Sequence, residues 1–294
     1  MEYLLTILNS TSQRSSPNGT TNAGASAVLI DNTSSPALVS IYPRALSNGI
    51  SIVTPNKKAF SGPSSEWSSI ASSAYPNPNP NSNGHSGGLL YHESTVGAGL
   101  PIISTLKDLL ATGDKVRVIE GVFSGTMSFL FNTFDPITPP SGESPPTFSQ
   151  VVRTAQSSGY TEPDPRDDLN GADVARKLTI LARLIGLEVS SYDSFPTESL
   201  IPAPLQDAKL SKEDFMERLG EYDGEMEMVR EKANKGGKVV RYTGRIDVEK
   251  KELRVGLGEY EKGSAVGGLK GSDNLVGFYT ERYGENALVV QGAG

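Results

Sequence analysis

Two short apolar runs, AVLIDN (Ala27–Asn32) and GISIVTPN (Gly49–Asn56), read as strands, and the stretch between them reads as a helix from Ala37 to Asn48 that stops before Gly49. Strand–helix–strand leaves a chain few choices. The two strands pair in parallel through a right-handed crossover. Pro43 is awkward inside that helix, because it lacks an N–H and crowds the preceding turn. GLLYHEST gives a further strand. GAGLPIISTLKDLLATGD reads as a glycine-rich turn and a helix with Pro101 near its first turn. KVRVIEGVFSG alternates as a strand does, and TMSFLFNTF reads as a short buried helix. From Asp168 to Leu184 the residues Val174, Leu178, Leu181 and Ile185 recur at helical spacing, and Gly186 supplies the stop. Ser211 to Lys235 is a charged helical stretch. KVVRYTGRIDVEKKELRVGLGEY follows as two strands around a tight turn, and NALVVQ is a last strand. Alternating strands and helices followed by an antiparallel region imply α/β leading into α+β.

With 294 residues the chain can bury a sizeable core. Its net charge of −7 and pI near 5.1 exclude nucleic acid as the main partner, since phosphate binding wants a basic face. No run of 18 apolar residues spans a membrane. The opening MEYLLTILNS lacks a basic flank and makes a poor signal peptide. There is no cysteine, hence no disulfide framework or thiolate nucleophile, and an intracellular setting is the default. Histidine occurs only at His85 and His92, so acid–base chemistry falls to carboxylates and lysines. Three stretches rich in Ser, Asn, Pro and Gly read as loop: Thr11 to Ser26, Ser61 to Gly88 and Asp135 to Ser149.

The densest charge lies in GYTEPDPRDDLNGADVARK, Gly159 to Lys177, with five carboxylates, two arginines and a lysine. Asp173 and Lys177 stand four apart and share a helix face. Alone, such a pair is usually a solvated ion pair of little energetic weight. Here Val174, Leu178 and Leu181 turn an adjacent face to the core, so the pair can line a cleft. The preceding loop brings Glu162, Asp167 and Asp168 to the same helix entrance. Asp168 or Asn170 equally serves as a helix cap. TPNKKAF places two lysines, and DNTSS several hydroxyls, at strand ends, where ligands of open α/β sheets bind. Both patterns also occur as ordinary surface or capping residues. VGAGLP reads better as a structural turn than as a dinucleotide fingerprint, and no complete G-x-G-x-x-G occurs.

VGAGLPII, GVFSGTMSF, GYTEPDPRDDLNGADVARKLTILAR, LKGSDN and VVQGAG, in that order, resemble the homoserine dehydrogenase family, particularly its short fungal form, as do DNTSS and GISIVTPNKKAF upstream. The resemblance covers nearly all ordered segments from about residue 27 onward. It implies a partial Rossmann-type nucleotide-binding domain, residues 1–89, followed by a catalytic and dimerisation domain with a mixed sheet, residues 90–294. It implies NADP- or NAD-dependent interconversion of L-homoserine and L-aspartate 4-semialdehyde, in the cytoplasm, by a homodimer. By the same resemblance Lys177 transfers the proton, Glu162 and Asp173 hold the substrate, and Lys57 sits near substrate and nicotinamide. Thr33 and Gly159 contact the cofactor. Glu93 and the carbonyls of Val96, Ala98 and Leu100 resemble a monovalent-cation site suited to sodium. A lysine accepts a proton only when neutral, which desolvation and a nearby cation favour and carboxylates oppose.

The family begins with a strand, a G-x-G-x-x-G turn and a helix, and ends with a glycine-rich turn and a last helix. Against that pattern this chain is expected to start after the first unit, with MEYLLTILNS matching a later helix, and to stop before the last one. Two readings follow. One is a homoserine dehydrogenase, active as it stands or impaired by truncation. The other is a non-enzymatic relative that acts only as a dimerisation partner.

Overall fold

In a computed structural model, residues 27–74, 87–138 and 144–293 are described. These described residues divide into two compact units, those within 1–95 together with Glu188–Ser191, and those within 96–187 and 192–294. The helix matched to MEYLLTILNS, the loop-like stretch Thr11 to Ser26 and His85 lie outside the described residues.

In the first unit β1 (Val28–Ile30), β2 (Ser51–Val53) and β3 (Leu90–Tyr91) form a parallel sheet in the order β1-β2-β3. Ile30 pairs with Val53, and Val53 with Tyr91, so the crossover delivers the parallel pairing that the sequence demands. The single helix expected from Ala37 to Asn48 is two pieces, a 3-10 turn Pro36–Ile41 and α1 (Tyr42–Ser47). This break accommodates Pro43. It falls in the first turn of α1, where a missing N–H costs no hydrogen bond. A second correction concerns the loop-like stretch Ser61 to Gly88. After α2 (Lys58–Ser61) it contains an eleven-residue helix, α3 (Ser64–Ala74). Its serine-rich sequence hides an anchor, Ile70, which is fully buried; Tyr42, Leu46, Ile52 and Phe60 are also in this unit's core.

In the second unit α4 (Ile102–Ala111) leads into β4 (Val116–Val122) and α5 (Gly125–Phe134). Then come α6 (Phe148–Ser157), α7 (Arg166–Leu169) and α8 (Ala172–Leu184). The charged stretch from Ser211 is α9 (Lys212–Arg218), a 3-10 turn and α10 (Asp223–Lys235), with the Ser211 hydroxyl capping α9 at the Asp214 amide, 3.0 Å away. The strands β5 (Lys238–Asp247), β6 (Glu252–Glu261), β7 (Asp273–Thr280) and β8 (Leu288–Ala293) complete a sheet in the order β6-β5-β4-β7-β8. Its strand pairs are all antiparallel, and the parallel component of the expected mixed sheet is one isolated bridge, Thr197 to Val255. Phe131 of α5 lies against Tyr242 of β5, while Phe134 and Phe148 meet edge to face. Arg241 is fully buried. It donates to the Phe131 and Asp135 carbonyls at the end of α5 and to the Gly267 carbonyl, and burial brings its pKa down to about 10 despite the Asp135 charge nearby.

The continuous helix expected from Asp168 to Leu184 is broken. Gly171, at φ +76°, separates α7 from α8, and the Asn170 side chain accepts the Ala172 amide at 2.8 Å. A Cβ on Gly171 would collide with the Tyr242 hydroxyl, which itself donates to the Glu198 carbonyl. Glycine is therefore required twice, by conformation and by space. Gly171→Ala is expected to cost about 2–4 kcal/mol, combining a left-handed backbone with overpacking. Urea unfolding checks this, and a change below about 0.5 kcal/mol, the scatter of ordinary surface substitutions, would show that the turn relaxes freely.

Candidate active site

The turn at Gly171 aims the first turns of α8, and with them Asp173 and Lys177. Lys177 Nζ lies 2.6 Å from Asp173 Oδ2 and donates to the Phe123 carbonyl at 2.7 Å. The Lys177 side chain is only 12% exposed, against 40% for Asp173, so the ammonium is drawn inward while the carboxylate remains accessible. Phe123 follows β4 directly, and Ser124 caps α5 at the Met127 amide. The strand end thus delivers a backbone acceptor to the helix lysine.

A loop supplies the remaining charge. Just after α6 comes Gly159, φ +76°, and the Tyr160 amide returns to the Ala155 carbonyl at 2.9 Å, the usual use of glycine after a helix. Tyr160 stacks on Phe129 with centroids 4.2 Å apart, and its carbonyl accepts the Thr126 hydroxyl at 2.7 Å. Next in the chain, the Glu162 amide donates to Asp168 Oδ2 at 2.8 Å. Burial raises the pKa of Asp168, and the charges of Glu162 and Asp173 raise it further, against the opposing pull of the Glu162 amide and the Thr126 hydroxyl. Glu162, Asp168 and Asp173 therefore share one electrostatic neighbourhood. Asp168 does not cap α8, as one reading of the sequence allows. It buttresses the loop, and Asn170 supplies the capping contact.

In the first unit the expected cofactor contacts stand at neighbouring strand ends. Asp31 follows β1, is buried, and accepts the Thr33 amide at 2.8 Å, the Thr33 hydroxyl at 2.7 Å, the Asn56 amide group at 3.1 Å and the Tyr42 hydroxyl. Burial works to raise its pKa, but these bonds prevail and hold the carboxyl below its ordinary range. The Thr33 hydroxyl is thus committed to shaping the DNTSS turn. Lys57 follows Asn56 after β2 and precedes α2, and its carbonyl accepts the hydroxyl of Ser61 at the end of that helix. Glu93 opens a 3-10 turn that closes the first unit, whereas Val96, Ala98 and Leu100 begin the second. Ala98 has φ +49° beside Gly97 at +78°, an unusual backbone for a residue bearing a Cβ.

The sequence reading missed the Phe123 carbonyl, Thr126 and Tyr160 as parts of the site. GVFSGT contains the first two, but their significance depends on α5 and the acidic loop meeting in space.

Folding prefers Asp168 protonated, because its folded pKa exceeds its unfolded one. Its stabilising contribution is fullest below the unfolded value of about 4 and is lost as pH rises through the folded value. Asp168→Asn, which keeps an acceptor oxygen, is expected to gain stability relative to the wild type between about pH 4 and about pH 7. Urea unfolding at the two pH values measures this, and a pH-independent difference would contradict it.

Residues 101–294 match the family model of homoserine dehydrogenase, and residues 11–77 match that of the homoserine dehydrogenase NAD binding domain. The homoserine dehydrogenase of Paracoccidioides brasiliensis is 59% identical over 268 residues, spanning 91% of this chain and 69% of the relative. That of Emericella nidulans is 59% identical over 276 residues, spanning 93% and 72%. A crystal structure of a Candida auris protein of unknown function superposes with a TM-score of 0.83 at 46% identity, over 92% of this chain and 71% of the other. The enzyme reading is better supported than that of a non-enzymatic partner. A parallel sheet with an NAD-binding match, an antiparallel sheet with a catalytic-domain match and this identity to short fungal enzymes place the chain in the homoserine dehydrogenase family of oxidoreductases.

Proposed function

We propose that this chain interconverts L-homoserine and L-aspartate 4-semialdehyde, and that Lys177 moves the proton. The observation that carries this reading is the pair of acceptors on one lysine, Asp173 at 2.6 Å and the Phe123 carbonyl at 2.7 Å, beside a loop of carboxylates. NADP or NAD, when bound, takes or supplies the hydride. Lys177 handles the other product of that step. As hydride leaves the hydroxyl-bearing carbon, its oxygen becomes a carbonyl and its proton needs an acceptor within hydrogen-bond reach. The Phe123 carbonyl and the Asp173 carboxylate fix where Lys177 Nζ stands for that transfer. In the reverse direction the ammonium returns it to the aldehyde oxygen.

Glu162 and Asp173 hold the substrate's ammonium through charge-assisted hydrogen bonds, selecting an amino acid over an uncharged alcohol. Lys57 adds positive charge near the reacting end, and Thr33 and Gly159 border the cofactor. The open space around Gly159 supports its part, since a Cβ there meets nothing within 4 Å. Glu93 and the carbonyls of Val96, Ala98 and Leu100 bind a monovalent cation such as sodium. The tight turn at Gly97 and Ala98 supports this, because oxygen ligands of a hard cation come readily from reversing backbone. The protein acts in the cytoplasm as a homodimer.

Homoserine-dependent reduction of NADP or NAD by the purified chain tests the reaction. Lys177→Ala is expected to lower kcat by roughly 10²–10⁴-fold, the usual worth of a general acid–base group. No turnover in the wild type, or undiminished turnover in the variant, would refute the proposal.

A further inference from the structure

Glu162 is exposed, so its own packing does not fix where its carboxylate points. Its loop is held from three places. Tyr160 is tied to α5 by Thr126 and Phe129, and the Glu162 amide is tied to Asp168. The third tether is Arg166. Its Nε reaches both oxygens of Asp164 at 3.0 and 3.1 Å, and Nη2 reaches Oδ2 at 2.6 Å. Nη1 donates to the Leu210 carbonyl at 2.9 Å, and the guanidinium lies 5.5 Å from the centre of the Phe215 ring. Leu210 immediately precedes the Ser211 cap of α9, and Phe215 of α9 is fully buried. Arg166 therefore joins the end of the acidic loop to the start of α9.

The joint is rigid on both sides. Pro163 and Pro165 flank Asp164 and restrict its backbone. The Arg166 side chain is only 20% exposed and that of Asp164 30%. The bonds to Arg166 hold the Asp164 carboxyl below its ordinary range, burial opposing. A planar guanidinium takes both oxygens of a carboxylate on one edge while another N–H reaches a carbonyl in fixed geometry, a bidentate fork that a lysine ammonium does not reproduce.

We infer that Arg166 is a positioning residue for the substrate: by clamping Asp164 to the Leu210 carbonyl and Phe215 it fixes the loop that presents Glu162. This rests on the reading above that Glu162 holds the substrate's ammonium. Arg166 acts on homoserine affinity through the loop, without touching homoserine.

Arg166→Lys keeps the charge and loses the fork, and Asp164→Asn loosens the same joint from the other side. Each is expected to raise KM for L-homoserine, Arg166→Lys by about tenfold, with KM for the cofactor changing less than about twofold. The double variant is expected to be little worse than Arg166→Lys, since both remove one interaction. Hydrogen exchange at the Tyr160, Thr161 and Glu162 amides is expected to accelerate in both single variants. Unchanged exchange, or equal rises in both KM values together with a lowered Tm, would overturn the inference. If the wild type does not oxidise homoserine, the functional reading fails, and the exchange data alone decide whether Arg166 holds the loop.

Discussion

The approach of Tyr242 to Gly171 is the constraint on which the second unit's site depends. A tyrosine on the helix-facing side of β5 presses its hydroxyl against the α7–α8 turn and donates to the Glu198 carbonyl. The segment holding Glu198 pairs with β6 through the Thr197–Val255 bridge, and the Leu200 amide donates to the Leu169 carbonyl at the end of α7. Sheet, segment and helix turn are thus fastened at one point. α7 carries Asp168 and α8 carries Asp173 and Lys177, so the angle between two helices decides the spacing of three charged groups.

That fastening explains how carboxylates are crowded without dispersing. Like charges close together repel, and burial penalises them further. The site divides the cost among its members. Asp168 is half-buried and takes up its proton more readily, Asp173 is balanced by Lys177, and Glu162 faces solvent. Asp164 is neutralised by Arg166. What remains is an acidic surface at Glu162, with the nearly buried Lys177 beside Asp173.

Much of this was legible in the residues. Apolar spacing identified the core face of α8, because Val174, Leu178 and Leu181 obey a helical period and are all buried. The parallel pairing of β1 and β2 followed from chain connectivity. Boundaries were less legible. Helical periodicity ran through Asn170 and Gly171 because local pattern cannot register that Tyr242, some seventy residues away, occupies the space a side chain would need. α3 escaped because serine reads as loop, although buried Ile70 and Trp67, edge-on to Phe60, anchor it. The Phe123 carbonyl was invisible for a simpler reason: backbone acceptors have no letter in a sequence.

The central claim is that Lys177 and the Glu162–Asp173 carboxylates form one homoserine pocket. A crystal structure of the protein with L-homoserine bound tests it most directly. The account predicts the substrate hydroxyl within about 3.2 Å of Lys177 Nζ, reach for proton transfer, with the ammonium on Glu162 and Asp173 and the Phe123 contact retained. Homoserine bound away from this cluster, with its hydroxyl out of reach of Lys177 Nζ, would contradict it.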